Sequence, residues 1–310
     1  MIPIDAEPDP GATDLWSEWL LHCRGADDPA YDREVRAVID RQVDHVLDAA
    51  RLAPGMTLAD LGSGEGLVAF RAIERVGPSL RVLLADLSLP MLRHAERLAV
   101  ERGLRSQCTF VACAADRLDG IEDASIDVVT TRAVLAYVSD KRAALREIQR
   151  ILKPGGRISI AEPIFRDEAL AASALRAMLE AEPRHDADRF LRLLQRWKAA
   201  QFPDTEARIA ASPIANFSER DLLEFVHGSG FVDIHVELHI DVAPCLATSW
   251  DVFLRTSPHP WAPCLGAILA EQFSADDRRY FEQVLRPAVE SRQSVATDRI
   301  AFLSATKPHS

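Results

Sequence analysis

At 310 residues the chain has room for one large α/β domain or two small ones, and its 48% hydrophobic and 27% charged content is that of an ordinary folded protein. An excess of 47 acidic over 36 basic residues gives a net charge of −11, which repels phosphate backbones and argues against a nucleic-acid partner. No apolar run of about 18 residues is present to span a bilayer, and the acidic, proline-bearing opening MIPIDAEPDPGATD lacks the features of a secretory signal, so no membrane partner is expected.

The cysteines, Cys23, Cys108, Cys113, Cys245 and Cys264, are odd in number and form no C-x-x-C pair. That favours buried thiols in a reducing compartment over disulfides or zinc, and a cytoplasmic location is expected. A short helix is predicted over 15–22 and a longer one over about 32–51, where Val35, Val38, Ile39, Val43, Val46 and Leu47 recur at helical spacing. Strands and helices then alternate: strand 57–61, helix 66–76, strand 81–86, helix 89–102, strands 108–113 and 126–131, helix 140–152, strand 157–162. Ser88 reads as the N-cap of the helix at 89–102, with Pro90 in its first turn. KPGG at 153–156 ends the later helix. VLLAD and IDVVTT are apolar almost throughout, as strands buried on both faces must be, so the alternation predicts an α/β, doubly wound parallel sheet.

After Pro163 the rhythm changes. Residues 165–215 read as helices with no strand between them, and a further helix at 218–229 opens on SERD, a capping-box-like start. FVDIHVELHIDV is a clear strand, 244–293 is again helical, and DRIAFLSATK is a last strand. The two helical insertions each follow a strand, where they can fold over a ligand crevice.

Gly62, Gly64 and Gly66 form G-x-G-x-G between a strand and a helix. Glycines there permit a tight turn and a close approach of backbone N–H groups to a ligand. A dinucleotide fingerprint would place its third glycine at position 67, which is Leu67. Asp60, just ahead of the loop, would repel a pyrophosphate but suits an ammonium group. Asp86, ending the second strand, is placed to accept hydrogen bonds from two ribose hydroxyls. A ligand with a ribose, a carboxylate, an ammonium and no phosphate is S-adenosyl-L-methionine (SAM).

The runs LADLGSGEG, LLADLSLPMLRHA and AADRLDGIEDASIDVVTTRAVLAYVSDKRAALREIQRILKPGGRISIAEP, in this order, resemble class I SAM-dependent methyltransferases. The resemblance is to their small-molecule branch, which includes ubiquinone and menaquinone C-methyltransferases, and it covers about residues 40–163. It implies a mostly parallel seven-stranded Rossmann-like sheet whose last strand is antiparallel and inserted beside the fifth. It also implies roles: Gly62, Ser63, Gly64 and Gly66 around the methionine part, Asp60 near its amino group, Asp86 on the ribose and Leu87 on the adenine. Ala115 and Asp116 would border the adenine edge, with Ala114 standing where many relatives carry an acid. Thr131 and Arg132 would lie near the transferred methyl. His22 and Tyr31 belong to N-terminal helices that in this family often cover the cofactor. The implied organisation is an N-terminal helical cap over 1–53 and a methyltransferase domain over 54–310, with helical lid insertions at about 165–215 and 244–293.

Open α/β sheets bind ligands at the carboxyl ends of their strands, which selects Arg132, Tyr137 and Glu162 as catalytic candidates. His235, Glu237 and His239 share one strand face and raise the question of a metal. Plain alternation with Val232, Ile234, Val236, Leu238 and Ile240 explains them as the charged face of a half-exposed strand, so no metal is expected. The basic residues of helix 186–200 read as its solvated face. Trp197, Phe202, Phe217, Trp250, Phe253 and Trp261 read mostly as core, with one or two lining a substrate pocket. The expected activity is methyl transfer from SAM to a small, hydrophobic or aromatic molecule by direct in-line displacement. The alternatives are a protein or RNA methyltransferase, disfavoured by the acidic charge, and a non-catalytic SAM-binding module. A homodimer is compatible with the sequence.

Overall fold

The computed structural model describes residues 14–181 and 189–309. The strands are β1 (Thr57–Leu61), β2 (Arg81–Asp86), β3 (Cys108–Ala112), β4 (Ile126–Arg132), β5 (Leu152–Pro163), β6 (Val232–Pro244) and β7 (Val295–Thr306). They form a seven-stranded sheet in the order β3-β2-β1-β4-β5-β7-β6. β1 to β5 pair in parallel, and β7 lies antiparallel between β5 and β6. The expected Rossmann-like arrangement is therefore present, down to the inserted last strand.

Helices cover both faces. On one side α2 (Pro29–Ala50), α3 (Leu67–Val76) and α4 (Leu89–Glu101) bury Val43, Val46, Phe70 and Ala95 against Leu58, Val82 and Leu84. On the other, α5 (Lys141–Ile151) and α9 (Glu219–Gly228) bury Leu145, Ile148 and Val226 against Val129, Ile158 and Ile160. Burying apolar stripes on both faces is what the near-continuous apolar strands require. The expected caps are in place: Ser88 Oγ accepts from Met91 N at 3.2 Å, and Ser218 and Asp221 form a capping box on α9.

The insertions are helical. The first holds α6 (Arg166–Ala181), α7 (Arg189–Gln201) and α8 (Glu206–Ala211); the second holds α10 (Trp250–Arg255), α11 (Leu265–Gln272) and α12 (Ala275–Glu290). The predicted start of α7, at 186–188, lies outside the described residues. Its basic face is not simply solvated. Arg189 pairs with Asp276 and Asp277 of α12, and Arg196 donates to Gln272 O at 3.0 Å, so these side chains bind one insertion to the other. Phe202, Phe217, Trp250 and Phe253 are buried, as expected.

Two strands differ from the sequence reading. The chain passes from α5 straight into β5, and KPGG is absorbed as an irregularity where pairing with β4 jumps from Ile126↔Leu152 to Val128↔Arg157. In β6, only Ile234 and Val236 pack on the core, because β6 and β7 continue as a ribbon past the last β5 pair, Pro163↔Ile300. Ile240 and Val242 on that ribbon are exposed.

Candidate active site

The turn after β1 is built from residues that tolerate a left-handed backbone. Gly62 has φ +62°, and a Cβ there would collide with Val134 of the loop after β4. Gly66 has φ +81° and N-caps α3; a Cβ would meet Phe70 at 2.6 Å. Only glycine allows both the turn and this close packing. Gly64 N donates to Asp86 Oδ2 at 2.8 Å, and Ser88 N donates to Asp86 Oδ1 at 2.8 Å. Asp86 thus locks the glycine turn to the end of β2, and burial pushes its carboxyl above the usual range.

A cavity of about 420 Å³ opens at this carboxyl edge of the sheet. Asp60 is buried at its wall, with Oδ1 accepting from Thr130 Oγ1 at 3.0 Å and Oδ2 without a partner. Burial pushes the Asp60 carboxyl up to about 7 against the lowering effect of the Thr130 hydroxyl. Ser63 Oγ is a second buried polar atom facing no partner. Arg132, at the end of β4, also lines the cavity, and its guanidinium makes no hydrogen bond or ion pair with the side chains or backbone of the described residues. Burial and the nearby Arg24 guanidinium push it below its ordinary value.

The cover comes from the N-terminus. Beyond α1 (Leu15–Glu18), a π-helical turn (Trp19–Cys23) brings Trp16, Trp19, Leu20 and Arg24 over the glycine turn. Arg24 and Arg36 pair with Glu65 at 2.8 and 2.9 Å, which fastens this segment to the loop it covers. Those guanidiniums hold the Glu65 carboxyl below its usual range despite the opposing effect of burial. At the far wall, Tyr137 meets Trp16 and Trp261 edge-on, with ring centroids 5.1 and 5.2 Å apart. Burial raises the Tyr137 phenol far above its ordinary value, so at neutral pH it is a neutral donor and an aromatic surface, not a base.

Of the residues predicted from sequence, Asp60, Gly62, Ser63, Gly64, Asp86, Leu87, Ala115, Asp116, Arg132 and Tyr137 line this one cavity. Gly66, Thr131 and Glu162 do not. Gly66 shapes the turn. Thr131 Oγ1 donates to Glu162 Oε1 at 2.9 Å, and Glu162 also accepts from the backbone amides of Val134 and Ala136 at 3.0 Å. Glu162 is therefore fully buried behind the cavity wall, where its carboxyl holds the loop after β4. The 165–215 insertion was expected to roof the crevice. Among the described residues none from that stretch lines the cavity, and only Pro260 of the second insertion does. The resemblance implied a cover from the N-terminal helices and named His22 and Tyr31, neither of which lines the cavity; Trp16, Trp19, Leu20 and Arg24 were missed. Their signal was the i, i+3, i+4 grouping of Trp16, Trp19 and Leu20 on a short helix that had no other reason to be so apolar.

Residues 52–207 match the family described as "Methyltransferase domain". The chain is 31% identical to nocamycin O-methyltransferase of Saccharothrix syringae over 264 residues, covering 84% of this chain and 82% of that protein. The chain belongs to the SAM-dependent methyltransferases. This methyltransferase is also 34% identical over 118 residues to a ubiquinone/menaquinone biosynthesis C-methyltransferase of Shewanella frigidimarina, covering 38% of this chain and 47% of that one. It shares its fold with Haemonchus contortus phosphoethanolamine N-methyltransferase 2 solved in complex with SAM, at 20% identity and a TM-score of 0.50, covering 86% of this chain and 52% of that chain. The cavity suits this cofactor. Unpartnered Asp60 Oδ2 and Ser63 Oγ offer an acceptor for an ammonium and a hydroxyl for a carboxylate. Among the described residues, no helix is long and apolar enough to cross a membrane.

Proposed function

We propose that this methyltransferase acts on a small, hydrophobic or aromatic molecule by direct in-line displacement. The supporting observation is the enclosure of the cavity: about 420 Å³, covered by the N-terminal turn and walled by Trp16 and Tyr137. Pockets of roughly 300–1,000 Å³ with apolar walls take small ligands, whereas a folded protein or RNA needs an open groove. The likeness to an O-methyltransferase across most of both chains points the same way and favours an oxygen nucleophile. Bound SAM supplies an electrophilic sulfonium methyl; the chain's task is to align the acceptor and exclude water. In this reading Asp60 and Ser63 hold the amino-acid end, Asp86 the ribose, Leu87 the adenine face and Ala115 and Asp116 its edge. Arg132 orients the acceptor. The free thiols of all five cysteines fit a cytoplasmic enzyme. The test is transfer of labelled methyl from SAM to a panel of small phenols and carboxylic acids, with peptide and tRNA arms. Labelling of a macromolecule alone would overturn the reading.

Arg132→Lys separates substrate chemistry from cofactor binding. Lysine keeps the charge but loses the planar fork that orients a carboxylate or phenolate. The expected result is a loss of kcat/KM of about tenfold or more with SAM affinity nearly unchanged. Equal losses in both would move Arg132 to the cofactor side.

Asp60 gives a pH signature. Its folded-state carboxyl titrates near 7, so below that it is neutral and offers an ammonium no charge partner. SAM affinity is expected to fall roughly five- to tenfold from about pH 7.5 to about pH 6. The ligand-free chain shows the opposite trend, because the folded form holds more protons than the unfolded one between about pH 4 and 7, and stability from this group rises as pH falls. Calorimetric titration of SAM across this range checks the first, and Asp60→Asn should flatten it.

A further inference from the structure

The one-sided alternation of β6 explains His235, Glu237 and His239 as surface residues, but the fold adds a residue that the strand pattern does not contain. His45, on the sheet-facing side of α2, brings its Nε2 to 3.5 Å from Glu237 Oε1. His239 Nε2 stands 3.1 Å from Glu237 Oε2. One ligand atom from each of His45, Glu237 and His239 lies within 4.8 Å of the others. Ligands held about 2.0–2.2 Å from a tetrahedral zinc stand about 3.3–3.6 Å from one another, so little closure separates this cluster from a coordination shell.

The cluster is also held in place. The His45 and His239 rings pack on Phe302 of β7, with centroids 4.1 and 4.8 Å away, and lie 5.1 Å from each other. Phe302 is the register partner of Glu237, so the floor and the carboxylate are fixed by the same β-ladder. His235 Nε2 reaches Glu237 Oε1 at 3.1 Å and orients the carboxylate from outside. The side chains of His45, Glu237 and His239 are 31%, 40% and 44% exposed, open enough for an ion to enter.

We propose that His45, Glu237 and His239 form a divalent-metal site of the zinc class, separate from the methyl-transfer cavity, that fastens α2 to the edge strand β6. Two imidazoles and one carboxylate are a borderline-soft donor set, which selects zinc and its neighbours over magnesium or calcium. His235 supports Glu237 as an outer partner. The ion links the N-terminal helix layer to a strand whose only ladder partner among the described residues is β7.

The test uses the full chain without an affinity tag, carrying Cys23→Ser so that the exposed thiol takes no zinc. Calorimetric titration with zinc chloride is expected to show one ion bound per chain, with a raised melting temperature. His239→Ala and His45→Gln should each weaken binding by more than about a hundredfold and abolish the thermal shift, while His235→Ala weakens it by about tenfold. SAM affinity should stay unchanged in all three, which certifies that they are folded; His239 is exposed enough to be removed without opening the core. Absence of saturable zinc binding in the parent chain would overturn the proposal. So would binding that survives both His45→Gln and His239→Ala.

Discussion

Glu162→Ala is expected to destabilise the folded chain by about 3–5 kcal/mol, a large share of a typical domain's stability. The Glu162 carboxylate is fully buried and accepts from the Thr131 hydroxyl and from the amides of Val134 and Ala136. Alanine leaves two buried donors and one half-buried donor without an acceptor, each buried one costing about 1–3 kcal/mol, with partial relief from local rearrangement. Burial pushes the Glu162 carboxyl above its usual range while these hydrogen bonds pull it back. Activity should fall too, because Val134 packs on Gly62 and Tyr137 forms the aromatic wall. Urea unfolding monitored beside turnover decides the role. A catalytic acid or base would lose kcat in Glu162→Gln with the unfolding midpoint unmoved; a positioning residue loses both.

That residue shows where sequence reasoning reached and where it stopped. The C-terminal ends of β4 and β5 were legible as the ligand edge because a parallel sheet always presents its strand ends there. Which side chains at those ends face the cavity was not legible. Thr131 and Arg132 are adjacent, and strand alternation sends them to opposite sides: Arg132 into the cavity, Thr131 onto Glu162. The β1 to β4 boundaries followed from apolar runs and turn residues almost to the residue, while β5 began earlier because backbone pairing with β4 resumes on both sides of the KPGG irregularity. Pairing of that kind is a property of the neighbour strand, not of the local sequence.

The cover of the cavity illustrates the same limit over a longer range. The Arg24–Glu65 and Arg36–Glu65 pairs join segments whose proximity no local pattern reports. His45 is likewise an unremarkable position in an amphipathic helix until β6 is laid beside it. In both places the chemistry depends on which helix the topology sets against which strand. The glycine turn needed no such information, since Asp60, Gly62, Gly64 and Asp86 all belong to two consecutive β–turn–α units.

Asp86→Ala should raise the SAM dissociation constant roughly ten- to 150-fold, equivalent to about 1.5–3 kcal/mol for hydrogen bonds to a charged acceptor. The fold should persist, because Asp86 ends β2 at the cavity edge and belongs to neither of the core clusters that flank the sheet. Two causes can produce that loss. Asp86 can act directly, by accepting from ribose hydroxyls, or indirectly, by holding Gly64 and with it the part of the turn proposed to hold the amino-acid end. 5′-Methylthioadenosine distinguishes them, since it keeps the ribose and adenine but lacks the amino-acid end. Direct ribose contact predicts that Asp86→Ala weakens methylthioadenosine and SAM by the same factor. An indirect effect through Gly64 predicts that SAM weakens while methylthioadenosine is spared. Asp60→Asn supplies the mirror control, expected to weaken SAM and leave methylthioadenosine unchanged, because an ammonium is the only feature that a carboxylate beside Ser63 would recognise. Calorimetric titration of both ligands into both variants gives four constants. If Asp86→Ala leaves both of its constants at the parent values, the ribose assignment fails.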